Sequence, residues 1–182
     1  MTSPVVLPYR NLFPHIADSA FLAAQVSVIG DVEIGECANI WYGTVIRGDV
    51  GKVRVAAEAN VQDMCCLHMT RDVSDTYILE QASVGHGVIV HGAIVEAGAL
   101  VGMGCILMDN ARIGEEAIIG AGSLVTQRMV IPPRTLAFGR PAKVIRALNA
   151  DEIEAGRKTA QRYLGLAAEH RQSRDALPRE GE

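Results

Sequence analysis

The stretch VEAGALVGMGCILMDNARIGEEAIIGAGSLV, from Val95 to Val125, decides the fold. An aliphatic residue returns every six positions, at Val95, Val101, Leu107, Ile113, Ile119 and Val125. Four places after each of the first five stands a small residue: Ala99, Cys105, Ala111, Ala117 and Ser123. This period matches neither the helical repeat of about 3.6 nor the strand alternation of about 2. It describes a short flat strand followed by a tight corner, with the aliphatic side chain in the lumen and the small one filling the corner. Three such units make one triangular coil. The same phase runs through Val28, Ile34, Ile40 and Ile46, then Val55, Val61 and Leu67, then Ile78, Val84 and Val90. Gly43, Gly87, Gly98, Gly104 and Gly122 precede the corner residue, where positive φ is expected. An ordinary β-sandwich of short strands would not hold one phase over so many units.

Composition agrees with stacked thin strands. Of 182 residues, 49% are apolar but only 4% aromatic, so the core is built from small and β-branched side chains. The length suits one domain with a small appendage. A net charge of −4 without a basic run excludes a nucleic-acid binder, which needs clustered Lys and Arg. The opening residues, Met1 to Arg10, carry no signal-peptide pattern, and no apolar run reaches membrane-spanning length. Cys37, Cys65, Cys66 and Cys105 show neither CxxC spacing nor a disulfide framework, so reduced thiols in a cytoplasmic protein are expected.

Hexapeptide repeats of this kind resemble the left-handed β-helix proteins. The hand is implied by that resemblance, since strand physics alone favours right-handed crossovers. The expected fold is therefore all-β, a left-handed parallel β-helix with a C-terminal α-helix packed along it. A β-helix domain with an N-terminal lead-in is expected over 1–131, and a connecting segment with the helix over 132–182. The repeat is expected to end near Val125, with Pro132-Pro133 breaking regular structure. Ala150–Leu177 has helical composition, Asp151 as a cap, and Glu154, Lys158 and Arg162 at helical spacing. Ile153, Tyr163, Leu164 and Ala167 are placed on its packing face, and Pro178–Glu182 is expected to fray.

The phase slips at three places: nine residues separate Ile46 from Val55, eleven separate Leu67 from Ile78, and five separate Val90 from Val95. The first two slips read as corner insertions, Gly48–Lys52 and a loop near Thr70–Thr76, and inserted loops on rigid scaffolds often carry function. If each sits at a corner, Val28, Ile46, Leu67 and Val90 share one face and Ile40, Val61 and Val84 another. The residues after the first set are Arg47, His68 and His91, stacked outward at the strand spacing of ~4.8 Å. His68 and His91 can then share a metal ion. His86 lies around a corner, with Gln62 placed one coil earlier, so it joins that ion only from a neighbouring subunit of a threefold trimer. Three imidazoles leave one position for water, whose pKa zinc lowers to about 7, giving a hydroxide suited to attack on CO2. The competing reading makes each histidine a surface or interface residue. His15 and His170 have no comparable context and are read as surface residues.

Several of these residues resemble the γ-class carbonic anhydrases in order and spacing: Arg47-Gly48-Asp49, Asn60-Val61-Gln62-Asp63, Leu67-His68, Gly85-His86 and Val90-His91-Gly92. Val101-Gly102-Met103-Gly104 and Gly139-Arg140-Pro141-Ala142-Lys143 resemble its bacterial branch. The resemblance implies zinc on His68, His86 and His91, with Fe2+ or Co2+ also accepted by imidazoles. It implies a homotrimer supported by an intersubunit ion pair between Arg47 and Asp63, with Asp49 nearby. Gln62 would orient the metal-bound hydroxide or substrate, and Tyr163 resembles a helix tyrosine near the metal. CO2 and bicarbonate would be the substrates. Two features depart from the family pattern. Val50 stands where the archetype has an acidic residue after the RGD, and the acidic loop after the first zinc histidine is short, with only Asp72 and Asp75 in it. Fast hydration needs proton export, so slow activity is one expected outcome. Three alternatives stay open: a coenzyme A-dependent acyltransferase, a zinc hydrolase of another substrate such as a thioester, and a non-catalytic metal-binding scaffold. Lys143 is shared with the wider superfamily and does not discriminate among them.

Overall fold

The computed structural model describes residues 3–176. Leu177 and the Pro178–Glu182 tail lie outside the described residues. Parallel coils stack into a β-solenoid followed by a single α-helix, and three ladders run up the stack. One ladder holds Val28, Ile46, Leu67, Val90, Leu107 and Val125 in register. The second holds Ile40, Val61, Val84, Val101, Ile119 and Ala137. The third holds Ile34, Val55, Ile78, Val95, Ile113 and Ile131. These are the faces that the six-residue phase assigns. No residue of the three ladders is more than 2% exposed, so each aliphatic side chain contributes on the order of 1.5–3 kcal/mol of burial.

The corners impose positive φ whatever residue occupies them. The five corner glycines have φ of +65° to +72°, as expected. Cys37, Glu58, Met64, Gln81, Asn110, Glu116 and Arg128 take the same position in other coils with φ of +54° to +60°. The small residue that follows, packed inside the corner, is therefore a better marker of the turn than the glycine. Gly48 is different. A Cβ there would overlap the Asp31 carbonyl oxygen of the coil below, so only glycine lets the rungs approach at Arg47-Gly48-Asp49. The Gly48–Lys52 insertion lies inside one long strand, Val45–Val55, and is matched by a register shift between Gly30 and Val32 on the rung below.

Three expectations are corrected here. The repeat does not stop at Val125: Ile131 pairs with Ile113 and Ala137 with Ile119, both in phase. Pro132-Pro133 occupies a corner between these strands, where a missing N–H costs no ladder hydrogen bond. The stack then ends in an antiparallel hairpin of Thr135–Gly139 with Ala142–Ala147. The helix runs Ala150–Asp175, and its cap is Asn149 rather than Asp151. Asn149 Oδ1 accepts from the Glu152 N–H, and the Glu152 carboxylate accepts from the Asn149 N–H, a reciprocal capping box. The helix packs on the solenoid through Tyr163, Leu166 and Ala167. Arg171 Nη2 donates to the Ser19 and Ala20 carbonyls, and Arg157 pairs with the buried Glu116. His170 is likewise not a plain surface residue. It sits edge-on to Trp41, with ring centroids 5.1 Å apart, and its Nδ1 lies 2.8 Å from the Tyr42 hydroxyl. No helix among the described residues is long and apolar enough to cross a membrane.

Candidate metal centre

His68 and His91 end two adjacent short strands, Cys66–His68 and Ile89–His91, and are direct ladder partners. Leu67 and Val90, each one residue earlier, point into the lumen, so both imidazoles point out of the same face. Their ring centroids are 5.4 Å apart. Val45 and Ile46 pair with Cys66 and Leu67, which places Arg47 on the rung below His68.

Each of the three histidines carries its own carboxylate. His68 Nε2 lies 2.9 Å from Asp49 Oδ1, His86 Nδ1 2.8 Å from Asp63 Oδ2, and His91 Nδ1 3.2 Å from Asp109 Oδ1. His68 and His86 each hydrogen-bond their acid through one ring nitrogen, and His91 meets its own at ion-pair distance. This is the pattern of a carboxylate that orients a metal-binding imidazole and raises its basicity. Burial alone would raise the Asp49 carboxyl, but bonds from His68 and Arg47 outweigh it and hold the group below its ordinary range. Asp109 is absent from the sequence-based site: it belongs to no motif, and its proximity to His91 arises only from the stacking of the next coil.

His86 stands in the corner that follows the second-face strand Ser83–Val84, with its side chain 45% exposed. The residue beneath it is Asp63 and not Gln62, one position off the sequence expectation. Gln62 follows the inward Val61 and is buried, its carbonyl accepting from Thr44 Oγ1 at 2.7 Å. Tyr163, carried on the helix and stacked edge-on against Trp41 with centroids 5.3 Å apart, brings its hydroxyl to 3.4 Å from His86 Nε2. Burial, with Asp63 close by, pushes the Tyr163 phenol above its ordinary value. Among the described residues of one chain, no three metal-ligating side chains converge on one point. Within the chain, Arg47 pairs with Asp49 and not with Asp63.

The first phase slip builds a cleft of about 640 Å³ beside Asp49, lined also by Val50, Lys52, Asp72, Asp75 and Tyr77. Val50 packs against the core. Asp75 is held by the Lys52 N–H at 2.7 Å and the Tyr77 hydroxyl at 3.3 Å.

The bacterial transferase hexapeptide family profile, six repeats long, matches residues 92–127. A Geobacillus kaustophilus carbonic anhydrase is 48% identical over 88% of this chain and 87% of its own length. The chain belongs to the γ-carbonic anhydrase family. An Arabidopsis thaliana mitochondrial gamma carbonic anhydrase 2 is 40% identical over 86% of this chain, which spans 58% of that longer protein. A solved Bacillus cereus structure, provisionally described as an acetyltransferase, superposes with a TM-score of 0.92 at 44% identity and covers 94% of this chain and 99% of its own. Membership in this family accords with a metal cofactor, and the donor set of this family member fits one. Three imidazoles, each backed by a carboxylate, suit a borderline divalent ion.

Proposed function

We propose that this protein is a zinc-dependent carbonic anhydrase that reversibly hydrates CO2 at sites shared between subunits of a homotrimer. The observation that carries this reading is the pairing of His68 with His91 on one face while His86, equally backed by an acid, stands in a corner off that face. His68 and His91 of one subunit and His86 of the next would hold the metal, and three sites would form per trimer. Zinc, once bound, supplies a hydroxide nucleophile near neutral pH by acidifying water. Arg47 of one subunit and Asp63 of the next form the supporting ion pair, with Asp49 holding Arg47 in place. Gln62 orients the substrate from its buried position, and Tyr163 stands near the metal from the helix side, with His86 Nε2 left to the metal. An outward apolar stripe supports the assembly: Val45, Cys66, Ile89, Ile106 and Leu124 follow one another rung by rung. Val45 and Ile89 are 36% and 40% exposed in the single chain, and burying such a stripe is what a subunit contact provides.

The decisive experiment is metal analysis with stopped-flow CO2 hydration on the wild type and His86→Ala. One zinc per chain with hydration lost in the variant is the expected result. A zinc-loaded trimer with no hydration above buffer sinks the carbonic anhydrase reading and leaves a thioester hydrolase or a scaffold. The second reading is an acyltransferase, favoured by the description of the Bacillus cereus structure. Saturable acetyl-coenzyme A binding by metal-free protein would support it.

A further inference from the structure

Asp109 lies in the corner that follows Ile106–Leu107, on the coil above His91. It is 5% exposed. A carboxylate so buried costs several kcal/mol unless it is fully hydrogen-bonded. It is satisfied here from several sides: Ser74 Oγ donates at 2.6 Å, Thr70 Oγ1 at 3.0 Å and the Thr70 N–H at 3.3 Å, while His91 Nδ1 lies at 3.2 Å. Burial pushes this carboxyl up, but the hydroxyl donors and His91 hold it below its ordinary range. The backbone beside His91 is fitted to the same group. A Cβ on Gly92 would overlap Ser74 Oγ and Asp109 Oδ1. The Gly92 N–H lies 2.9 Å from the His68 carbonyl and 3.0 Å from Thr76 Oγ1, and the Thr76 hydroxyl donates to the same His68 carbonyl at 2.6 Å. Asn110, next to Asp109, closes on Gly92 O and on Val73 O. One carboxylate thus joins the loop after His68, the end of the His91 strand and the His91 ring.

We propose that Asp109 is the positioning residue for His91: its carboxylate holds the imidazole by Nδ1 and locks it to the 70–76 loop, leaving Nε2 for the metal. This rests on the metal reading above, and it gives His91 the acid that Asp49 gives His68 and Asp63 gives His86. A loop staple alone would need only Thr70 and Ser74; the imidazole contact is the part that concerns the metal.

The test uses the full-length protein with zinc, and 15N-labelled histidine. In metal-free wild type at about pH 8, His91 should carry its proton on Nδ1. In Asp109→Asn that preference should weaken, and zinc affinity, read by chelator competition, should fall about 10- to 100-fold with the oligomer intact. Ser74→Ala, which loosens the loop but spares the carboxylate, should keep most of the affinity and the tautomer. A wild-type His91 protonated on Nε2 overturns the proposal even if the variant does not fold. Unchanged affinity together with an unchanged tautomer in Asp109→Asn overturns it too. If wild type takes up no zinc but the tautomer responds to Asp109→Asn, the metal reading falls and the Asp109 hold on His91 stands.

Discussion

His68 and His91 are direct partners across two parallel strands, 23 residues apart in sequence, with ring centroids 5.4 Å apart. That pairing follows from how the second phase slip is absorbed. The residues after His68 leave the coil as a loop and return at Thr76, so the next coil comes back in step and His91 lands above His68. His86 stays off that face because it lies in the corner between Ser83–Val84 and Ile89–His91.

Sharing between subunits is tested by complementation. His86→Ala and His68→Ala should each lose tight zinc binding alone. Co-expressed, they should regain about one intact site in four, since each site then needs one undamaged half from each of two randomly assorted chains. Zinc content of the mixed trimer is the measurement, and no recovery would place the whole site within one subunit.

Proton export is the expected weak point. Val50 supplies no acid and Asp75 is tied to Lys52 and Tyr77, so hydration should depend on buffer. Adding imidazole at pH 7.5 (roughly 10–100 mM) should raise kcat several-fold and leave kcat/KM nearly unchanged, because an external base replaces the missing relay. Stopped-flow rates against buffer concentration at constant ionic strength will show it.

Glu116 gives an acid-sensitive dock for the helix. It is 8% exposed and bonded by Arg134 and Arg157, which outweigh the upward push of burial and hold its carboxyl below its ordinary range. A carboxyl lowered on folding stabilises above its unfolded pKa, and that contribution is lost as pH falls through the lowered value. Glu116→Gln should therefore cost about 1–2 kcal/mol at pH 7, modest because both arginines are half exposed. The gap in Tm between variant and wild type should narrow as pH falls below the unfolded value of about 4.3 and close once pH is below the lowered one.

The thiols report on the assembly. Burial pushes Cys65 up to about 12, and Cys105 is raised as well, so neither should react at pH 8. Cys37 and Cys66 are exposed in the single chain, and Cys66 lies on the apolar stripe. In the trimer only Cys37 should label quickly with a maleimide. Fast labelling of Cys66 in native protein would argue against that stripe as the contact.

Gly48→Ala should lower stability by roughly 3 kcal/mol or more, because the added methyl would run into the Asp31 carbonyl and the rungs cannot separate locally. Gly104→Ala, at a corner with open space around it, should cost only the left-handed backbone penalty, about 1–2 kcal/mol. Thermal melts of the two variants separate crowding from backbone strain.

The residues by themselves determined the three ladders, the corner glycines and the stacking of His68 on His91. All of these repeat with the chain, so counting in sixes locates them. The phase also led to the expectation that His86 reaches the metal only from a neighbouring subunit, and the family resemblance implied zinc on all three histidines. The extra rungs at Ile131 and Ala137 were also in phase, hidden by a proline pair that a corner accepts. Asn149 was hidden by Asp151, since local composition does not say where backbone N–H groups first lack partners. Only the tertiary structure decided which acid meets which histidine. Asp63 under His86, Asp109 over His91 and Tyr163 beside Trp41 depend on where side chains land after the coils close and the helix docks. Those positions are set by packing between residues far apart in sequence, which no six-residue period encodes.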